Sequence, residues 1–167
     1  LTANEIVKFF KKFETYYPSL HQHSLQIEVT TAIIEKVDSV VDRFGDVKDN
    51  ASALLQQLRQ EINKLKGKIN SSFTSALNQY HNLEYLDDIR ESVVDNKRVL
   101  AVKAMYRRKV KGAIMGGSKT GSIVYIEPET TLQHTRELNN LEYEQSEEVV
   151  RILKEVTNYM RQYLPLL

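Results

Sequence analysis

The chain has 167 residues, a formal net charge of +1, and 41% apolar and 27% charged residues; these proportions exclude a largely disordered chain and predict one domain or two small ones. It contains no cysteine, which excludes disulfides, thiol catalysis and cysteine-ligated metal sites and slightly favours a cytoplasmic location. No apolar run approaches the roughly 20 residues that cross a bilayer, so no membrane partner is predicted. Leu1 stands in the place of a Met, which predicts a piece of a longer protein.

Helical periodicity organises the first half of the chain. Apolar residues at helical spacing predict a helix over 5–17 that Pro18 stops or kinks, and a second helix from Ile27 to Phe44 with Gly45 as its C-terminal cap. A third helix is predicted over about 51–83, because apolar residues recur at steps of three and four: Leu55, Leu58, Ile62, Leu65, Ile69, Phe73, Leu77 and Tyr80. At a rise of 1.5 Å per residue this helix is about 50 Å long, so it requires a partner helix along its side.

The periodicity then changes to that of strands. Short strands are predicted over 90–94, 99–102, 110–115 and 123–126, and Pro128 fits the first turn of a final helix. The predicted fold is α+β and mostly α, with long antiparallel helices forming a stalk and a small antiparallel β-sheet inserted between them. The predicted domains are N-terminal core helices over 1–50, stalk helices over 51–89 and 128–167, and an inserted β tip over 90–127.

Positive charge is concentrated in one stretch. From Asn96 to Ile126 there is no Asp or Glu, while eight Lys and Arg side chains fall within these 31 residues. Because the whole chain carries +1, the remaining residues carry −7. This asymmetry is typical of a phosphate-binding surface, although Lys and Arg also protect sheet edges from aggregation. The candidate contacts to a nucleic-acid backbone are Lys103, Arg107, Arg108, Lys109, Lys111 and Lys119.

Aromatic residues are scarce in this stretch. Only Tyr106 and Tyr125 could offer a stacking platform, which favours contact with a duplex backbone over single-strand stacking.

No pattern in the sequence predicts catalysis or a metal site. The glycine-rich segment Gly116–Thr120 lacks the spacing of a P-loop. His21 and His23 lie two residues apart but have no further ligand cluster nearby, and His81 and His134 are isolated. No pair of carboxylates stands out as acid and base, so this chain is predicted not to be an enzyme.

The basic stretch also carries a family resemblance. The string Val102–Lys103–Ala104–Met105–Tyr106–Arg107–Arg108–Lys109–Val110–Lys111–Gly112, followed by Ser118, Gly121 and Tyr125–Ile126–Glu127–Pro128, resembles the MutS family of DNA mismatch-repair ATPases. The resemblance is closest to the MutS-like branch that often carries a C-terminal Smr domain. It continues upstream through Ile34–Glu35–Lys36–Val37–Asp38 and downstream through Glu137–Leu138 and Leu141–Glu142, and covers about residues 25–155.

The resemblance implies lever helices with an inserted clamp-like arm, which in a homodimer closes around duplex DNA and touches its backbone without reading sequence. It also implies that ATP and Mg are used by an ATPase beyond Leu167, where an Smr nuclease would also lie, and that this chain itself holds no cofactor. Roles proposed for the branch include suppression of recombination and rescue of collided ribosomes.

Three functions therefore stand as alternatives. The leading hypothesis is a non-catalytic lever and clamp region that binds duplex DNA. The second is an arm that engages ribosomal RNA, since a basic surface suits either polyanion. The third is a structural coiled-coil dimerisation module whose basic residues serve only solubility.

Overall fold

A computed structural model of the chain describes residues 2–27 and 31–164. Within them lie α1 (Ala3–Lys12), α2 (Pro18–Ser24), α3 (Thr31–Val40), α4 (Ala53–Asn82), β1 (Leu86–Val94), β2 (Lys97–Lys103), β3 (Gly112–Gly117), β4 (Ile123–Pro128) and α5 (Glu129–Arg161). The predicted class is confirmed, because the fold is mostly helical and a four-stranded antiparallel sheet is inserted between α4 and α5. The chain divides into two compact units, Leu1–Leu55 with Glu148–Leu167, and Gln56–Glu147. The stalk arrangement and the domain boundaries stay predictions.

The first unit begins with two short helices. A capping box starts α1, since Glu5 N donates to the Thr2 hydroxyl and Thr2 N donates to the Glu5 carboxylate. The helix ends at Lys12, and Pro18 is the first residue of α2. Pro18 therefore opens a helix instead of ending one, because the first helical position needs no N–H donor.

α3, the helix predicted from Ile27 to Phe44, is shorter than its apolar stripe predicts. It ends at Val40, and Asp42 then accepts hydrogen bonds from Phe44 N at 2.8 Å and Asp46 N at 3.0 Å. An Asp side chain that binds nearby backbone amides competes with helix formation and builds a turn. Gly45, with φ of 93°, lies in this turn between the bridged residues Val41 and Val47, so its predicted role as the cap is wrong. Ile27 lies before α3, in a bend, and Glu28 to Thr30 lie outside the described residues.

A polar cluster joins the start of α4 to α5 within the first unit. Ser52 caps α4 by accepting from Leu55 N at 3.0 Å, and its hydroxyl donates to Glu148 Oε1 at 2.6 Å. Arg151 donates to both Glu148 oxygens, at 2.7 and 2.6 Å. These bonds, chiefly those from Arg151, lower the pKa of Glu148 to about 2. Beside them a buried cluster forms the core of this unit: Val40, Val47, Leu55, Ile152 and Val156.

The predicted third helix is confirmed as α4. Every member of its apolar stripe is buried or half-buried, and Phe73 is 1% exposed. Phe73 belongs to the core of the second unit, which also contains buried residues of β1, β2, β4 and the β2–β3 connection: Leu86, Leu100, Val102, Val110 and Ile126. The sheet therefore packs on α4.

The strands lie in the order β1-β2-β4-β3, and every neighbouring pair is antiparallel. β1 begins at Leu86, earlier than predicted, and a register shift separates its pairing at Leu86 from that at Glu91. Asp95 and Asn96 both have positive φ in the β1–β2 turn, as the tightest hairpins require. Pro128 is the last residue of β4, so α5 begins one residue after it.

Candidate nucleic-acid interface

The connection between β2 and β3 presents most of the predicted contact residues. Both strands are antiparallel to β4, which lies between them, so β2 and β3 are parallel and the chain must cross from one end of the sheet to the other. We call residues 103–111 the basic crossover. Five of the six predicted contacts lie on it: Lys103, Arg107, Arg108, Lys109 and Lys111.

Buried and stacked side chains hold the basic crossover against the core. Val110 is 5% exposed and belongs to the core cluster that contains Phe73. The Tyr106 ring packs against that cluster and stacks on Tyr85, with their centroids 4.6 Å apart. Backbone bonds within the segment, such as Lys109 N to Tyr106 O at 2.8 Å, fix its turns. The cationic side chains therefore project from a well-anchored backbone.

The six cations have no acidic partners in the part of the chain that the structure describes. Arg107, Arg108, Lys109, Lys111 and Lys119 are exposed and Lys103 is half-buried. Among the described residues, none of the six forms an ion pair with a carboxylate. Lys103 Nζ donates to the Glu84 carbonyl at 3.3 Å, and Lys109 Nζ lies 5.5 Å from the ring centres of Tyr85 and Tyr106. Their charge is available to an external anion.

The other two cations of the acid-free stretch behave differently. Lys97 Nζ lies 3.3 Å from Glu127 Oε2, and the Glu127 side chain is 3% exposed. Arg98 lies 2.6 Å from Glu91 Oε2 and its guanidinium lies 4.3 Å from the Phe73 ring centre. These two charges are neutralised locally, so the structure separates them from the six that the sequence singles out.

The six cations do not form a single point-like cluster. Lys103 pairs with Ile123 at one end of β4, whereas Lys111 precedes Gly112, which pairs with Pro128 at the other end. The six residues of β4 span about 16 Å at a strand rise of about 3.3 Å. Lys119 lies in the β3–β4 turn, which is tied to the crossover by a 2.9 Å hydrogen bond from Ala104 N to Ser122 O.

The aromatic residues around Lys109 include one that the sequence did not reveal. Tyr85 stacks on Tyr106 and also lies 6.4 Å from Tyr80, while Tyr125 has no ring partner among the described residues. Tyr85 lies between the end of α4 and β1. No sequence pattern there predicts that its ring stacks on Tyr106. The three tyrosines support the crossover through packing.

The glycine-rich segment and the paired histidines that the sequence singles out do not have the geometry of a P-loop or of a metal site. The glycine-rich segment runs from the end of β3 into the turn before the antiparallel strand β4, whereas a P-loop joins a strand to a helix whose N-terminus receives the phosphates. His21 and His23 lie on α2, about 160° apart around the helix axis and therefore on nearly opposite faces. No group of three or more His, Cys, Asp or Glu in 2–27 and 31–164 is arranged to hold a metal ion.

A cavity of about 380 Å³ lies in the second unit, away from the crossover side chains. The charged residues that line it are three cations and three carboxylates, so their charges cancel: Lys66, Lys97, Arg98, Asp95, Glu127 and Glu142. It therefore does not extend the basic surface. In the described part of the chain, no helix combines the length and apolar character that a membrane span needs.

No family model matches the chain, but curated proteins similar to it are known. A protein named endonuclease MutS2 from Halothermothrix orenii is 27% identical over 128 residues, which cover 77% of this chain and 16% of that protein. Endonuclease MutS2 of Staphylococcus aureus is 28% identical over 144 residues, which cover 86% of this chain and 20% of that protein. Over most of its length the chain is similar to MutS2 proteins.

This similarity supports the resemblance to the MutS family that the basic stretch carries. The chain spans about a fifth or less of the length of these MutS2 relatives. The nuclease activity in their name belongs to those longer proteins.

Proposed function

We propose that this chain is the lever and clamp-like region of a MutS2-related ATPase of the mismatch-repair type, and that its basic crossover binds the backbone of duplex DNA without sequence preference. The observation that carries the proposal is that some cations of the acid-free stretch pair with carboxylates and the others do not. Within the described chain, six cations on and beside one anchored segment form no ion pair with a carboxylate, while Lys97 and Arg98 are each paired with one. The nuclease named in the MutS2 relatives also fits a nucleic-acid partner.

The chemistry of such a surface is electrostatic. Arg presents a planar fork to phosphate oxygens and Lys acts as a point charge, and contacts to phosphate carry no base information. Neutralising about six phosphates releases counterions and gives a log–log salt slope near −5. This chain supplies no catalytic group to the proposal; ATP, Mg and any Smr nuclease would belong to the rest of a longer protein, as would an arrangement of two arms in a homodimer.

The test removes two charges from the crossover. Arg107→Ala/Arg108→Ala is expected to weaken binding of a 20-base-pair duplex uniformly across sequences and to flatten the salt slope by about two. The measurement is fluorescence anisotropy over a range of salt concentrations. The matched control is Lys64→Ala/Lys68→Ala, which removes the same charge from exposed positions of α4 in the same unit. Equal effects of the two double variants would show that the crossover contributes only its net charge, and would contradict its role as the binding site.

The same phosphate chemistry supports the alternative of an arm that engages ribosomal RNA. Phosphate contacts do not distinguish the two polyanions, so the choice between them belongs to a competition experiment. The dimerisation alternative requires no phosphate contact at all and predicts a stable dimer that does not bind a duplex at low salt.

A further inference from the structure

We propose that the β3–β4 turn, residues 118–122, is a seat for a single phosphate group, built from hydroxyls and backbone N–H groups and separate from the basic crossover. The inference rests on the proposed function, because it adds a second kind of contact to the same interface. The residues involved include Ser and Thr, which are uncharged, so the charge pattern of the sequence does not mark them.

Three hydroxyl groups converge in this turn. Thr120 Oγ1 lies 2.8 Å from Ser122 Oγ and 3.2 Å from Ser118 Oγ, and Ser118 Oγ lies 3.4 Å from Ser122 Oγ. Ser118 Oγ also accepts from Ile123 N at 3.1 Å, which anchors the group to the end of β4. The hydroxyls of Thr120 and Ser122 bond only to other members of this triad within the described chain. Such hydroxyls can redirect their O–H bonds toward an incoming oxyanion.

Backbone donors add to the hydroxyls. Ser118 N donates to Ile123 O and Gly121 N donates to Ser118 O, both at 2.9 Å. The N–H groups of Lys119, Thr120 and Ser122 have no acceptor among the residues that the structure describes. Gly121, with φ of 71°, supplies the left-handed residue of the turn. Neighbouring N–H groups in a turn that contains a left-handed residue form anion-binding concavities.

Charge completes the seat. Lys119 is exposed, forms no ion pair in the described chain, and lies between Ser118 and Thr120. The Ala104 N to Ser122 O bond places the turn beside the start of the basic crossover. A phosphate held here would thus lie at the Lys103 end of the interface. The group could belong to a phosphodiester of nucleic acid or to free phosphate, since both present the same oxygens.

The test separates hydroxyl donors from charge. Thr120→Val/Ser122→Ala removes two hydroxyls without changing net charge, so duplex affinity is expected to fall about tenfold or more while the salt slope stays unchanged, because no counterion contact is lost. Lys119→Ala is expected to lower the slope by about one. Ser71→Ala/Ser75→Ala removes two exposed hydroxyls from α4 of the same unit and is expected to bind as the wild type does.

Two outcomes would overturn the seat. One is duplex affinity of the Thr120→Val/Ser122→Ala variant equal to that of the α4 hydroxyl control. A smaller loss of affinity in the single variant Thr120→Val excludes a folding defect as the cause of the expected loss. The other is the absence of any change in the amide resonances of residues 119–122 when inorganic phosphate is titrated into the wild type. If phosphate shifts these resonances but no duplex binds, the seat stands for free phosphate and the proposed function fails.

Discussion

Gly112 shows how a single residue supports the whole crossover. A Cβ atom at this position would lie 2.1 Å from Glu127 O and 2.8 Å from Ile126 Cγ2. The backbone of β3 therefore approaches β4 more closely than any other amino acid allows. Gly112 directly follows Lys111, so this close approach fixes where the crossover ends.

Gly112→Ala is expected to lower the free energy of unfolding by about 1–3 kcal/mol, because β3 must shift away from β4. Urea unfolding followed by circular dichroism measures the change. Gly67→Ala is the control, since Gly67 lies within α4 with open space around its Cα, and Ala there is expected to stabilise the chain by up to about 1 kcal/mol. A change of the same sign at both positions would contradict the close-approach argument.

At the scale of elements, the join between α4 and α5 in the first unit depends on one carboxylate. Glu148 accepts from Ser52 and from Arg151, and its side chain is 5% exposed. The pairing lowers the pKa of Glu148 and raises that of Arg151. A carboxyl group whose pKa falls on folding stabilises the folded state when it is ionised.

The expected consequence is a specific acid sensitivity. Because the pKa of Glu148 falls from 4.5 to about 2, its contribution is fully present above pH about 4.5 and is lost as the pH falls toward 2. Glu148→Gln is expected to cost about 1–3 kcal/mol at pH 7 and to flatten the decline of stability with acid. Thermal unfolding between pH 2 and pH 7 measures both, and Glu147→Gln, at an exposed neighbour, serves as the control. Identical acid profiles for the two variants would exclude this role.

At the scale of the whole molecule, charge is segregated along the chain. Eight cations fall in 31 consecutive residues of a chain whose net charge is only +1, and within the described residues six of them have no acidic partner. Long-range attraction to a polyanion then acts on one stretch instead of the average surface. Screening by salt weakens it, with a Debye length of about 8 Å at physiological ionic strength.

This segregation predicts binding without sequence preference. Duplexes of equal length and different sequence are expected to bind the chain with dissociation constants within about twofold of one another, because contacts to phosphate carry no base information. Anisotropy titrations at one fixed salt concentration check this. A tenfold preference among the duplexes would indicate base contacts and contradict the proposal.

Competition distinguishes the remaining alternatives. Displacement of a labelled duplex by ribosomes at far lower phosphate concentration than by unlabelled duplex would favour the RNA-engaging arm. Analytical ultracentrifugation tests the dimerisation module in the same solutions.

The sequence by itself determined the elements and the candidate charges. Steps of three and four from Leu55 to Tyr80 are a local property of helices, and so predicted α4 correctly. The absence of acids from Asn96 to Ile126 needs no coordinates to be seen. The predicted end of α3 was wrong because the Asp42 side chain competes for backbone amides, a contact that apolar periodicity does not register.

Only the tertiary structure decided which charges are free and what surrounds them. Lys97 and Lys103 belong to the same stretch and look alike in sequence, yet Lys97 meets Glu127, thirty residues away, while Lys103 donates to a backbone carbonyl. The stacking of Tyr85 on Tyr106 and the convergence of three hydroxyls in the β3–β4 turn likewise depend on strand order and register. Such pairings are long-range or depend on the path of the backbone, so a pattern of residue types along the chain cannot specify them.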